Sequence, residues 1–281
     1  MRRPLIEQSH KQVLEEEVNP MKKPVLLVVS FGTSFADARE KNITAIEDAL
    51  AAAFPAYEVR RAFTSGMILK KLRERDGICI DSVPEAMERL IRDGVQEVVV
   101  QPTHVMNGGE YDKMVRDVRA YEEHFSKLKI GRALLSDDHD RDAMIETVFA
   151  ADAAMVTPDT ALVYMGHGTD HEANRGYAQL QERLRANGHG NIFIGTVEST
   201  PTVADVLAEV KQGSFHRVVL LPLMIVAGDH AANDMAGDGE DSWKNIFQRA
   251  GFDTVCVLRG LGERPAIRWM IMGHCAETMK A

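Results

Sequence analysis

The chain has 281 residues, of which 45% are hydrophobic and 27% charged, so it is long enough for one or two folded domains and is not mainly disordered. Its 33 Lys and Arg residues stand against 42 Asp and Glu residues, which gives a formal charge of −9. Because nucleic acids and anionic membranes are polyanions, this charge argues against both as partners. An anionic ligand would have to meet a locally basic patch.

The N-terminal segment and the cysteines indicate a cytoplasmic protein. Residues 1–20 contain several glutamates but no apolar run of the kind found in secretory signals, and we predict a polar tail there. No apolar run reaches the roughly 18–20 residues that a membrane helix needs. Cys79, Cys256 and Cys275 lie far apart and form no C-x-x-C pair, so neither a zinc ribbon nor a disulfide framework is expected.

Short runs of β-branched residues alternate with amphipathic stretches along the rest of the chain. The predicted strands are Val25–Phe31, Tyr57–Phe63, Glu97–Gln101, Leu162–Met165, Asn191–Gly195, Arg217–Leu221 and Thr254–Leu258. The predicted helices are Asp37–Ala53, Ser82–Asp93, Tyr111–Lys127, Ala173–Ala186, Thr202–Gln212, Ala231–Ala250 and Arg264–Lys280. Repeated strand-helix units of this kind predict an α/β fold with open parallel sheets.

The two halves of the chain also resemble each other. Phe31-Gly32-Thr33 follows the first strand, and His167-Gly168-Thr169 follows the corresponding strand of the second half. A later strand leads to Gly108-Gly109-Glu110 in one half and to Gly228-Asp229-His230 in the other. Such internal similarity predicts two copies of one unit with a cleft between them. The predicted domains are 21–150 and 151–281, with the last helix, 264–280, packing onto the first domain.

Three residues of the second half differ in chemistry from their counterparts in the first. His167, Glu198 and His230 stand where the first half has Phe31, Thr64 and Glu110. Each follows the carboxyl end of a different predicted strand, and ligands bind at this edge of parallel sheets. Imidazole and carboxylate groups suit a divalent first-row metal with exchangeable positions, and neutral imidazole can also accept protons. Each residue alone has a structural alternative, such as an acid near a helix N-terminus for Glu198.

Other segments are less specific. The first strand is followed by no G-x-G-x-x-G motif and by no P-loop lysine, so we expect no nucleotide cofactor. The hydroxyl groups of Ser30, Thr33 and Ser34 at a helix start predict an anion cradle. His104 fits the core and the cleft wall equally well. The candidates for local positive charge are Arg39, Arg60, Arg61, Lys70 and Lys71, although a solvated face is the plainer interpretation for most of them.

Five segments together resemble a known family. They are Phe31–Ser34, Gln101–His104, Met165–Thr169, Val197–Ser199 and Gly228–Met235. In this order and spacing they resemble the anaerobic sirohydrochlorin cobaltochelatases, which are class II chelatases, over about residues 24–275. The resemblance implies a two-domain, ferrochelatase-like α/β enzyme that inserts Co(II) into sirohydrochlorin on the oxygen-independent route to cobalamin. Members can form homo-oligomers. One departure is Gly109, where an acidic residue is expected.

The resemblance also implies roles for individual residues. It assigns metal binding to His167, Glu198 and His230, with His167 as the proton acceptor and sirohydrochlorin bound between the halves. The residues expected to contact the substrate are Ser30, Phe31, Thr33, Ser34, His104 and Glu110. Two alternatives stay open. One is a tetrapyrrole chelatase for Fe(II) or Ni(II), since this ligand set does not dictate the metal. The other is a carrier that binds tetrapyrrole or metal without turnover.

Overall fold

The computed structural model describes residues 23–281, which form two four-stranded parallel sheets with helices packed on them. The first sheet has the order β2-β1-β3-β4 and the second has the order β6-β5-β7-β8. The strands are β1 Val25–Ser30, β2 Glu58–Phe63, β3 Glu97–Pro102, β4 Lys127–Ile130, β5 Thr160–Gly166, β6 Ile192–Thr196, β7 Arg217–Pro222 and β8 Asp253–Cys256. The equal strand orders confirm the predicted α/β fold and its internal repeat. The predicted tail over residues 1–20 lies outside the described residues.

Helices connect these strands in the described part of the chain. They are α1 Ala36–Ala38, α2 Ala45–Ala53, α3 Gly66–Asp76, α4 Val83–Arg92, α5 Gly109–Arg119, α6 Asp138–Met144, α7 Ala150–Ala153, α8 Arg175–Ala186, α9 Val203–Val210, α10 Trp243–Arg249 and α11 Pro265–Lys280. π-helical turns occupy Arg39–Thr44, Ile145–Phe149 and Ala231–Met235. No helix in these ranges is long and apolar enough to cross a membrane.

The two sheets share one interior. Leu26 and Val28 of β1 belong to the same buried cluster as Leu162 and Tyr164 of β5. The alternate residue Leu27 points to the other face of its sheet and belongs to a separate cluster. Strands that are apolar on both faces are typical of parallel sheets covered on both sides. Side chains from both halves therefore build the central core.

The C-terminal helix α11 runs against α2 and β3 of the first half. His274 on this helix is hydrogen-bonded through Nε2 to Oδ1 of Asp140, at 2.8 Å, and both side chains are buried. Arg132 forms ion pairs with Asp140 and with Glu277 of α11. The last helix is thus attached to the first half by charged as well as apolar contacts. The predicted domain boundary after residue 150 falls where Ile145–Phe149 continues into α7, and it stays a prediction.

Several predicted elements were wrong. The predicted helix Tyr111–Lys127 ends at Arg119, and residues 127–130 form β4. This edge strand has only four residues, two of them lysines, and such strands lack a strong β pattern. The predicted helix Ala231–Ala250 is interrupted after Met235, because Ser242 caps a new helix by accepting a hydrogen bond from the Asn245 amide. Helices α3 and α6 were not predicted because charged residues dominate both.

Candidate metal centre

The loops at the carboxyl ends of the two sheets meet each other. A Cβ atom at Gly228, after β7, would lie 3.7 Å from Oγ1 of Thr33, after β1. His171, after β5, lies with its Nε2 atom 3.3 Å from Oδ2 of Asp112 in α5, which follows β3. These contacts pair loops of one half with loops of the other. The carboxyl edges of both sheets therefore border the same region of the molecule.

His167, Glu198 and His230 come together in this region. One ligand atom from each lies within 4.8 Å of the other two. The Nδ1 atom of His167 is 3.5 Å from Oε2 of Glu198, and the two imidazole rings pack edge to face with centroids 4.6 Å apart. All three side chains are partly exposed, so a metal ion can reach them from outside. Two imidazoles and one carboxylate suit a divalent first-row ion.

One other group in the described part of the chain has side chains spaced like metal ligands. It consists of Asp137, His139 and Asp140. Both oxygen atoms of Asp140 are already hydrogen-bonded, one to His274 and the other to Arg132. The Asp140 carboxylate of this group is therefore engaged in contacts within the protein, whereas His167, Glu198 and His230 remain the candidate metal ligands.

Two glycines allow His167 to sit at the end of β5. A Cβ atom at Gly166 would lie 2.4 Å from the ring of Tyr177, which packs under the end of the strand. Gly168 has a φ of 87°, and a Cβ atom there would lie 2.8 Å from the amide nitrogen of Ser199. Glycine adopts such a left-handed conformation at little cost. The Gly-His-Gly pattern therefore follows from close packing on both sides of the histidine.

We expect a Gly168→Ala substitution to damage the site and a Gly188→Ala substitution to leave it intact. Gly188 also has a positive φ, of 83°, but no atom lies within 4 Å of a Cβ built there. Both variants should lose about 1–2 kcal/mol of unfolding free energy from left-handed strain. Only Gly168→Ala should also weaken Co(II) binding, because its methyl group would press against the backbone of Ser199 and displace the neighbouring Glu198. Urea unfolding and a Co(II) titration of both proteins measure the two effects, and equal affinities would contradict this account.

Hydrogen bonds fix which nitrogen of each imidazole is free. The Nδ1 atom of His167 lies 3.0 Å from the carbonyl oxygen of Gly168. A carbonyl oxygen only accepts, so in the neutral ring Nδ1 carries the proton and Nε2 has the lone pair. The Nδ1 atom of His230 lies 2.7 Å from Oδ2 of Asp234, one helical turn later, which leaves its Nε2 free in the same way. The role of Asp234 was missed, although its spacing of four residues from His230 is a signal of such contact.

Backbone hydrogen bonds correct one of the predicted counterparts. The amide of Glu198 donates to the carbonyl oxygen of His167, and the amide of Ser65 donates to that of Phe31. Ser65, not Thr64, is therefore the counterpart of Glu198. The amide of Thr103 donates to the carbonyl oxygen of Val29, and the amide of Leu223 donates to that of Met165, so Thr103 and Leu223 are equivalent. Glu110 and His230 each lie seven residues further along the chain, and they are therefore counterparts, as predicted. The first half thus holds a serine, a phenylalanine and a glutamate where the second half holds the candidate ligands.

The predicted substrate contacts of the β1 loop differ in accessibility. Ser30, Thr33 and Ser34 are almost fully buried. The hydroxyl of Ser30 accepts a hydrogen bond from Thr103, and that of Thr33 accepts one from the Phe35 amide. These hydroxyl groups stabilise the loop, and their predicted contact with an anion stays a prediction. Other predicted residues are open to solvent, namely Phe31 and Glu110.

Both ring nitrogens of His104 are buried and have no hydrogen-bond partner among the described residues, although the residue as a whole is partly exposed. Its ring packs edge-on against Tyr111 of α5, with centroids 6.4 Å apart. Burial lowers the pKa of His104 from 6.5 to about 4, so the ring is neutral at pH 7. The contact with Tyr111 indicates that His104 packs against α5. Its predicted contact with substrate stays a prediction.

The sequence is similar to chelatases over nearly its whole length. It matches the cobalt chelatase (CbiK) family over residues 24–280. It is 43% identical over 257 residues to a sirohydrochlorin cobaltochelatase of Salmonella typhimurium, covering 92% of this chain and 97% of that protein. It is 33% identical over 267 residues to the sirohydrochlorin cobaltochelatase CbiKC of Nitratidesulfovibrio vulgaris, covering 93% of each.

Among solved structures, the fold is similar to that of SirB from Bacillus subtilis with Fe3+. The TM-score is 0.63 at 13% identity, and the match covers 92% of this chain and 96% of that one. At this level of identity the likeness concerns the fold alone. The two-sheet architecture is thus shared with a protein of quite different sequence.

Proposed function

The chain belongs to the cobalt chelatase (CbiK) family, and on that basis we propose that it inserts Co(II) into sirohydrochlorin. The observation that carries this proposal is the cluster of His167, Glu198 and His230 where the carboxyl edges of the two sheets meet. Relatives named for this reaction match the chain over more than nine tenths of its length. The cluster contains no thiolate, which suits a protein that has to release the metal it binds.

Metal insertion requires the macrocycle to lose two pyrrole N–H protons while one M(II) ion enters. Neutral His167 has a free lone pair on Nε2, because Nδ1 is bonded to the Gly168 carbonyl oxygen. We propose that His167, Glu198 and His230 hold the metal ion, and that His167 is also the proton acceptor. The two released protons balance the charge of the Co(II) ion that enters. We propose separately that no nucleotide takes part, since the loop after β1 lacks the lysine of a P-loop. We also place the reaction in the cytoplasm.

The macrocycle would lie between the halves, with the metal ligands against one face. Phe31 and Glu110 occupy the corresponding positions of the first half and are exposed. We assign both to substrate contact. The buried Ser30, Thr33 and Ser34 would hold the loop that carries Phe31, and His104 would support the start of α5.

The test of this function is anaerobic conversion of sirohydrochlorin by catalytic amounts of protein with Co(II), followed by the visible spectrum of the macrocycle. Several turnovers per enzyme are expected. Product formed only in proportion to the protein would indicate a carrier. Faster insertion of Fe(II) or Ni(II) than of Co(II) in the same assay would assign the protein to another metal.

We expect Asp234→Asn to lower the affinity for Co(II) by about 10- to 100-fold, the usual loss when the hydrogen-bond partner of a metal-ligating histidine is removed. The neutral amide oxygen accepts the Nδ1–H hydrogen bond of His230 more weakly than the carboxylate does, so Nε2 becomes a weaker electron-pair donor to the metal. Asp229→Asn is the matched control, since it removes the same charge from the exposed residue next to His230. Co(II) titration followed by visible absorption measures both. Equal losses in the two variants would mean that only the overall charge matters.

A further inference from the structure

The first half carries an exposed apolar surface on the loop after β1 and on α3. Phe31 and Phe35 in the loop after β1 are 42% and 40% exposed, and Met67 in the first turn of α3 is 74% exposed. These are three of the six large exposed hydrophobic residues in the described part of the chain. Apolar residues clustered on a surface commonly mark a binding site. We call this surface, Phe31, Phe35 and Met67, the platform.

Cations border the platform. The Nζ atom of Lys71 lies 6.0 Å from the centroid of the Phe35 ring, within reach of a cation–π contact. Arg39 donates a hydrogen bond to the carbonyl oxygen of Thr33 and thereby holds the loop in place. This local positive charge is notable in a chain whose formal charge is −9.

One carboxylate at the edge of the platform is surrounded by cations. Asp76, at the end of α3, accepts hydrogen bonds from Arg75, which lowers the pKa of its carboxyl group. The charges of Arg39 and Lys71 lie near enough to lower the same pKa further. Three cations thus share this one acid.

Packing links the platform to the metal-binding loop. The inward face of α3, with Leu69 and Leu72, belongs to a cluster against which Val226 packs. Val226 lies four residues before His230, in the loop after β7. Gly228 of the same loop lies beside Thr33. These contacts connect α3 and the loop after β1, which carry the platform, to the loop that carries His230.

We propose that the platform selects the tetrapyrrole, with Phe31, Phe35 and Met67 against the ring system and Lys71 and Arg39 on the carboxylates at its rim. This inference rests on the proposed function and specifies its substrate recognition. A macrocycle with acetate and propionate side chains is apolar on its faces and anionic at its edge. The platform has the complementary arrangement, and charge-assisted hydrogen bonds to carboxylates are the strong ones. A macrocycle without these carboxylates would be bound only through the apolar contacts with Phe31, Phe35 and Met67.

The test compares two substitutions on the platform with matched controls. Lys71→Gln is paired with Lys70→Gln, the preceding lysine of α3, which faces Glu74. Met67→Gln is paired with Met155→Gln, which removes another exposed methionine, 84% exposed, before the amino end of β5. All four side chains are largely solvated, so each variant should fold. The measurements are binding of metal-free sirohydrochlorin, steady-state insertion with Co(II), and Co(II) binding without macrocycle.

Lys71→Gln should raise the KM for sirohydrochlorin about three- to tenfold, with kcat and Co(II) affinity changed by less than about twofold. High salt should reduce this difference, because screening weakens the charge contacts of the wild type. Met67→Gln should weaken macrocycle binding about fivefold at any salt concentration. Both controls should match the wild type.

The outcomes separate this inference from the proposed function. If the wild type inserts cobalt but both platform variants behave like their controls, the platform is not the recognition surface and the function stands. If the wild type binds sirohydrochlorin without insertion, the proposed function is wrong, and the binding titrations of the four variants still decide on the platform. A wild type that fails to bind sirohydrochlorin overturns both.

Discussion

Replacing His167 with alanine should slow cobalt insertion by about 10²- to 10⁴-fold, the usual contribution of a positioned proton acceptor. The substitution removes the Nε2 lone pair and one metal ligand together. The His167 side chain is partly exposed, and its ring contacts Glu198 and His230 rather than the core. The fold should therefore be unaffected.

The measurement combines anaerobic insertion kinetics with far-UV circular dichroism and Co(II) titration. His124→Ala is the control, because this exposed histidine follows α5 outside the metal cluster. It should retain wild-type activity. A collapsed circular dichroism spectrum for His167→Ala would assign the residue a structural role, and full activity would remove it from the mechanism.

Asp140→Asn should lower the free energy of unfolding by about 3–5 kcal/mol at pH 7, which is the usual cost of removing one partner of a buried ion pair. The carboxylate is 1% exposed and bonds to both His274 and Arg132. The amide removes the negative charge that Arg132 and the Nε2 atom of His274 contact inside the protein. Since His274 lies on α11, we expect the loss to appear first in the attachment of that helix. Urea unfolding measures it, with Asp138→Asn as an exposed control on the same helix.

The effect of Asp140→Asn should depend on pH in a defined direction. Burial by itself would raise the pKa of Asp140, but the hydrogen bond and charge of His274, the Ser136 amide and Arg132 outweigh it, so the pKa lies below the ordinary 3.8. A carboxyl group with a lowered folded pKa stabilises the protein above its unfolded pKa and loses this effect as pH falls through the folded one. The difference in unfolding free energy between the wild type and Asp140→Asn should thus become smaller below about pH 4. A difference that stayed constant into that range would contradict the ionic account.

The fold was predictable because its signal is repeated. Apolar strands such as Val25–Ser30 and Thr160–Gly166 recur with helices between them, and the two halves support each other. Elements at the edges were missed. β4 is short and lysine-rich, and α3 is dominated by charges, so neither has the periodic apolar pattern from which elements are recognised. Their positions are determined by tertiary contacts.

The family resemblance was confirmed, and comparison of the halves located the same three side chains that the structure clusters. Other aspects of the site depend on geometry that a sequence does not contain. The hydroxyl groups of Ser30 and Thr33 turned out to be hydrogen-bonded inside their loop. The counterpart of Glu198 shifted by one residue, from Thr64 to Ser65, because only the hydrogen-bond ladder fixes register. Asp234 became visible as a partner of His230 only through their contact.

The core shared by the two sheets limits how the enzyme can open. Leu26 of β1 and Tyr164 of β5 lie in one buried cluster. Rotating the two halves apart would expose this apolar surface to water, at a free-energy cost of about 25 cal/mol per Å². Helix α11 packs on the first half and forms the contact between His274 and Asp140, and such a motion would also have to break these interactions. We therefore expect the macrocycle to enter and leave at the edge where the loops after the strands of the two sheets meet.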